Sequence, residues 1–137
     1  MSYVGGTWWE LKLADGWQAQ GDVECLTLSR SKDGAFQLSA AVKNVGAVLP
    51  EEIEEQSRQS APNGTVVCSY SVGKFSGLCV SYRELGAHWQ RFWLAHGNLL
   101  VFATYNGSPD AWCDEQQDVH AMLATLRPRD AENVLPA

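Results

Sequence analysis

Charge is scarce in this 137-residue chain, with Asp, Glu, Lys and Arg together making up 19% of it. What charge there is leans one way: 16 acids against 10 bases, a net of −6. That balance argues against nucleic acid or an anionic membrane surface as a partner, because both recruit Lys and Arg. No run of about 18 apolar residues occurs, so a helical membrane span is excluded. Met1 to Glu10 show neither a basic start nor an unbroken apolar stretch, so no signal peptide is read there. The four cysteines (Cys25, Cys68, Cys79 and Cys113) form no C-x-x-C pair, which removes zinc knuckles and thioredoxin-like motifs. A cytoplasmic chain with reduced, partly buried thiols is the expectation. G-x-S-x-G, H-E-x-x-H, G-x-x-x-x-G-K-[ST] and G-x-G-x-x-G are all missing.

Hydrophobic residues are plentiful at 45%, which excludes wholesale disorder and suffices for one self-supporting core. A single domain over residues 1–137 is expected, ordered from about 7 to 127 and mobile over 129–137. Thr7 to Leu13 alternates, with Trp9, Leu11 and Leu13 on one face, and Asp15-Gly16 supplies a turn. Trp17 opens a second extended region that Val23 to Ser29 continues. Lys32-Asp33-Gly34 reads as a hairpin turn in which glycine accepts positive φ. Ala35 to Lys43 then places Phe36, Leu38, Ala40 and Val42 on one face.

Pro50 suits a first helical turn, and the acids of Glu51-Glu52-Ile53-Glu54-Glu55 complement the positive end of the helix dipole. The apolar stripe of this helix is thin, with Leu49 and Ile53 followed by Gln56, Ser57 and Ser60, so it should sit loosely on the body. Strands are predicted over 65–72, 77–84, 88–96 and 99–105. Ser108-Pro109 starts a last helix with Trp112, Gln116, Val119, Met122, Leu123 and Leu126 on its inner face, and Pro128 stops it. The fold class is therefore α+β, a mostly antiparallel seven-stranded sheet in the order β-β-β-α-β-β-β-β-α with helices packed on it.

Two hairpins carry positional consequences. Around Gly73-Lys74, a three-residue loop sets Cys68 opposite Val80 and aligns Val66, Cys68 and Tyr70 with Leu78, Val80 and Tyr82. That register is expected because it pools apolar residues. A two-residue turn would instead set Cys68 opposite Cys79, close enough for a disulfide. The Gly97-Asn98 turn pairs 96 with 99 and 92 with 103. One face then holds Phe92, Leu94, Leu99, Val101, Ala103 and Tyr105, and the other Trp89, Arg91, Trp93, Leu100, Phe102 and Thr104. Both faces are apolar. Either helices cover both sides of the sheet, or the Trp89/Arg91/Trp93 face stays partly open, where Trp and Arg are common binding anchors.

Catalytic constellations are weak. His120 and Cys113 stand two helical turns apart, and His88 and His96 lie over 25 Å apart along one strand, so the three histidines read as surface or strand-end residues. Asp110, Asp114 and Asp118 form a stripe that a solvated helix face explains, since nothing supplies further oxygen ligands for a cation. No catalytic residue, cofactor or metal ligand is assigned. The four carboxylates Glu51, Glu52, Glu54 and Glu55 follow from dipole compensation alone, and they would also receive a basic partner.

Leu13-Ala14-Asp15-Gly16-Trp17, Gln37-Leu38-Ser39, the stretch from Trp93 to Tyr105 and the C-terminal helix together resemble the PsbP-like sandwich over residues 7 to 127. That family includes a photosystem extrinsic protein and a Ran-binding import regulator. The absence of a signal peptide departs from its exported members, and these are packing motifs, so no binding residue carries over. The resemblance implies a non-catalytic module that works by binding. In size and acidity the chain also looks like bacterial immunity proteins. The reading is thus a protein-binding module, an immunity-type or secretion-associated adaptor acting through Glu51, Glu52, Glu54 and Glu55 or through Trp89, Arg91 and Trp93. A small-molecule carrier with a pocket among Trp8, Trp89, Trp93 and Phe102 is the alternative, and a homodimer through that face the third.

Overall fold

A computed structural model describes residues 2–129; the expectation of a mobile tail falls, beyond Arg129, on residues outside that range. Seven strands form the main antiparallel sheet: β3 (Gln18–Gly21), β4 (Cys25–Ser29), β5 (Ala35–Val42), β6 (Val66–Val72), β7 (Phe75–Glu84), β8 (Ala87–His96) and β9 (Leu99–Gly107). Their spatial order is β3-β4-β5-β9-β8-β7-β6. A smaller sheet joins β1 (Tyr3–Gly5), β2 (Trp9–Lys12) and β10 (Arg127–Pro128) in the order β1-β2-β10. Helices α1 (Pro50–Ser60) and α2 (Pro109–Ala124) complete an α+β fold.

The seven-strand sheet is as expected, but its membership differs in two places. The first predicted strand leaves it for the small sheet. The extended region from Trp17 to Ser29 folds back on itself, because Asp22 Oδ1 accepts from the backbone N–H of Glu24 and Cys25 and closes a β3–β4 hairpin. Gly34 also works differently from expectation. Its φ is not positive; instead a side chain there would run into Glu115 Oε1 and the Tyr105 hydroxyl, so glycine is required for close approach.

The β6–β7 register is corrected. Gly73, at φ +54, and Lys74 form a two-residue turn, and Cys68 pairs with Cys79, not Val80. Both thiols are free, and Cys25, Cys68 and Cys113 are exposed while Cys79 is buried. The apolar set Leu78, Val80 and Tyr82 does share a face, but the core-facing side of β7 holds Phe75, Gly77, Cys79 and Ser81, where Gln90 bonds both Ser81 and the Cys79 sulfur. Pooling apolar residues pointed to the wrong partner because this part of the interior is polar.

The β8–β9 pairing of 96 with 99 and 92 with 103 is found as derived. Phe92, Leu94, Leu99, Val101, Ala103 and Tyr105 are buried in the main core, beneath the small sheet and α2 residues Val119, Met122 and Leu123. Ser108 caps α2 by accepting from the Ala111 N–H. On the opposite face Ile53 of α1 closes a second, smaller cluster with Val80, Tyr82 and Trp93. The layers are therefore α1, the main sheet, then α2 with the small sheet. Among the described residues no helix is long and apolar enough to cross a membrane.

Candidate protein-binding surface

The α1 side of the main sheet is only partly roofed. Helix α1 reaches down with Ile53 and Ser57, its two buried residues, as its thin stripe predicts. It sits over β7, and Trp93 beneath it is 2% exposed, tilted against Phe102 at 5.2 Å. Trp93 is thus a core residue, which corrects its place among the candidate contact residues. Four residues away along β8, on the same face, Trp89 stays half-buried and stacks on Tyr82 with ring centroids 6.1 Å apart and 6° between planes.

Arg91 completes this platform. Its guanidinium lies 5.2 Å from the Trp89 ring and 6.0 Å from both Tyr82 and Phe102, while Nε donates to the Tyr82 hydroxyl at 2.8 Å. Cation–π attraction and that hydrogen bond fix the side chain against the sheet. Six ion pairs form among the described residues, and Arg91 belongs to none of them. Tyr82 was not singled out from sequence. Recognising Leu85-Gly86 as a two-residue turn would have placed it directly opposite Trp89.

The four helix acids divide into two kinds. Glu52 accepts from the Leu49 N–H and pairs with Lys43 at 2.7 Å, so the Lys43 ammonium and the backbone amide hold its carboxyl below the ordinary range. Glu55 pairs with Arg58 at 2.6 Å and accepts from Gln59, with the same downward effect. Glu51 and Glu54 have no cationic partner among the described residues. Between α1 and the sheet runs a cleft of about 370 Å³, lined by Val48, Pro50, Ile53, Glu54, Ser69, Ser71, Leu78 and Ala95. Trp8 packs on the main core, across the sheet from Trp89 and Trp93, so the four-aromatic carrier pocket does not assemble.

The opposite face gathers titratable groups that the sequence kept apart. Tyr70 and His120 Nδ1 are 2.7 Å apart, His120 packs edge-on to Phe92 and Trp112, and His88 stacks on Trp112 at 4.8 Å. His120 is accordingly no surface residue. Burial pushes the Tyr70 hydroxyl up to about 12 and the Cys79 thiol up to about 11, and lowers His120. All three are driven toward their neutral forms, which for Tyr70 and Cys79 is the reverse of an activated nucleophile. Asp118 is no solvated acid either, since it accepts from Trp17 Nε1 at 2.9 Å and faces Arg30. Its neighbour Glu115, unmarked in the sequence, is 1% exposed and accepts from Tyr105 and Ser31. Among the described residues no group of three or more His, Cys, Asp or Glu is arranged to hold a metal ion.

The layers and this surface define an α+β protein with one incompletely covered sheet face. No family model and no curated protein matches the sequence. Among solved structures, a Bacteroides thetaiotaomicron VPI-5482 protein determined at 1.50 Å is similar, with a TM-score of 0.67 and 15% identity. The likeness covers 94% of this chain and 48% of that one, so this chain spans about half the neighbour's length. At that identity it speaks to the fold alone.

Proposed function

We propose that the chain is a cytoplasmic, non-enzymatic protein-binding module, of the kind that immunity proteins or secretion-associated adaptors represent, docking its partner on the α1 side of the main sheet. Arg91 carries this reading. It is held on Trp89 and Tyr82 with no carboxylate among the described residues in ion-pair reach, although the molecule has a net charge of −6. Its remaining N–H groups face a partner carboxylate or carbonyl ready aligned, and Trp with Arg supplies much of the binding energy at protein interfaces. Nearby, Glu51 and Glu54 supply the complementary sign for a basic group. The raised Tyr70 hydroxyl and Cys79 thiol agree with a role outside nucleophilic catalysis. A PsbP-like origin, proposed from the residues that carry that resemblance, fits the same role.

Immobilised wild type and Arg91→Ala, compared in native cell extract, test the proposal. A partner retained by wild type should be held about tenfold more weakly by the variant, with circular dichroism showing that the variant keeps its fold. Absence of any Arg91-dependent partner at every salt concentration would sink it. The cleft beside α1 keeps a carrier reading open, because about 370 Å³ falls in the range of small-ligand pockets. Tryptophan emission against a metabolite panel separates the two: ligand-dependent shifts, absent in Leu78→Trp, favour the carrier.

A further inference from the structure

The two edges of the main sheet differ in how they are protected. At one, β3 is four residues long and ends at Gly21, whose φ is +117, so it offers little to pair with. At the other, β6 runs for seven residues, Val66-Val67-Cys68-Ser69-Tyr70-Ser71-Val72, with no charge and no proline. Val66 and Val67 are 61% and 58% exposed, and among the described residues no strand pairs with the outer side of β6. Sheets ordinarily guard such an edge with Lys, Pro, a bulge or a cover.

The hydrogen-bonding phase of this edge follows from its turn. Val72 and Phe75 flank the two-residue turn at Gly73-Lys74 and exchange both backbone bonds. Alternation then turns Tyr70, Cys68 and Val66 inward to β7, and leaves the N–H and C=O groups of Val67, Ser69 and Ser71 directed outward. Those same three residues present their side chains on the α1 side of the sheet, as does Val80 opposite Val67. Ser69 and Ser71 form one wall of the cleft that Val48, Pro50, Ile53 and Glu54 close from above. Open main-chain donors and a side-chain cleft therefore meet at one edge.

We propose that β6 is a strand-addition site: it pairs with an extended segment of the partner protein, seating an aliphatic side chain in the cleft and a Lys or Arg two residues away against Glu54 and Glu51. This deepens the protein-binding reading and rests on it. Main-chain pairing supplies affinity in such recognition, and alternate side chains supply specificity. Charge selects the occupant. A second copy paired edge to edge about a two-fold axis would bring two acidic α1 helices onto the same face of one continuous sheet, whereas a basic segment meets Glu51 and Glu54, which have no cationic partner among the described residues.

The test uses a fluorescent peptide, Thr-Lys-Thr-Val-Thr-Lys-Thr-Val-Thr, its counterpart with Glu for Lys, and a form N-methylated at alternate residues. The intact chain should bind the Lys peptide, with amide shifts concentrated at Val67, Ser69 and Ser71. Binding should weaken at least tenfold with the Glu peptide, with the N-methylated peptide, and in E51K/E54K. Equal binding of the N-methylated form, no binding at all, or a dimer abolished by Ser69→Pro would each overturn strand addition. If the peptides fail while Arg91-dependent capture persists, the protein-binding reading stands and only this mode falls.

Discussion

Leu85 stands fully exposed at the tip of the β7–β8 turn with φ +52, followed by Gly86 at φ +79. Two consecutive positive φ angles define a turn that favours Asn-Gly, and a leucine held there costs about 1–2 kcal/mol. Leu85→Asn should therefore stabilise the fold by about 1 kcal/mol and raise the melting temperature by about 3 °C, measured by calorimetry. An unchanged or lowered value would mean that the leucine makes contacts beyond its turn. At this scale the face on which a strand side chain lies is encoded locally, and its burial is not. The Gly97-Asn98 turn put Trp89 and Trp93 on one face, which is where they lie. It could not say that one sits under α1 and the other beyond it, because the helix arrives from forty residues away. Glu115 was invisible for the same reason. The partners that make its burial tolerable, Tyr105, Ser31 and Arg30, come from a different strand and a loop.

At the scale of elements, α1 is thinly attached, with only Ile53 and Ser57 buried. Its Pro50 start, its acidic first turn and its thin stripe were legible, because helix starts are encoded locally, while the bond by which Glu52 accepts from the Leu49 N–H was not legible. Ile53 is its one large buried side chain, seated among Val80, Tyr82 and Trp93. Ile53→Ala should cost about 2–4 kcal/mol at that seat. Since the sheet's other face has its own core, the loss should appear mainly as helix detachment. Hydrogen exchange is the measurement: amides of 53–60 should exchange at least tenfold faster while those of β8 and β9 stay protected. Uniform acceleration would show α1 to be part of the global folding unit. The β6–β7 misregister belongs to this scale too. Alternation assumes an apolar interior, and Gly77, Cys79, Ser81 and Gln90 break that assumption. Turn chemistry decided the register instead, with Gly73 in the left-handed region.

Across the whole molecule, the α2 side carries the larger core and the α1 side the accessible chemistry. That asymmetry was legible only as a choice between covered and open, since no single element fixes it. It also places a half-buried titrating group against the main core. His120 lies between α2 and the sheet, against Tyr70, Phe92 and Trp112, and burial lowers its proton affinity. Above about pH 7 it is neutral whether folded or unfolded, so it gives stability no pH dependence. As pH falls below the ordinary histidine value of 6.5, the unfolded chain takes up its proton first. The unfolded state then binds more protons than the folded one, and stability falls with acidification by at most about 1.4 kcal/mol per pH unit for this one group. The fall continues until the folded form also protonates. Tyr70 and Cys79, raised to about 12 and about 11, stay neutral throughout and contribute nothing there. Glu52 and Glu55 are lowered from 4.5, so their stabilising charge is present above that value and lost as the pH falls below it. Urea denaturation at pH 7.5 and 6.0 should show wild type losing stability across that interval, with His120→Gln flatter there. Equal slopes for the two proteins between pH 7.5 and 6.0 would remove His120 as the source.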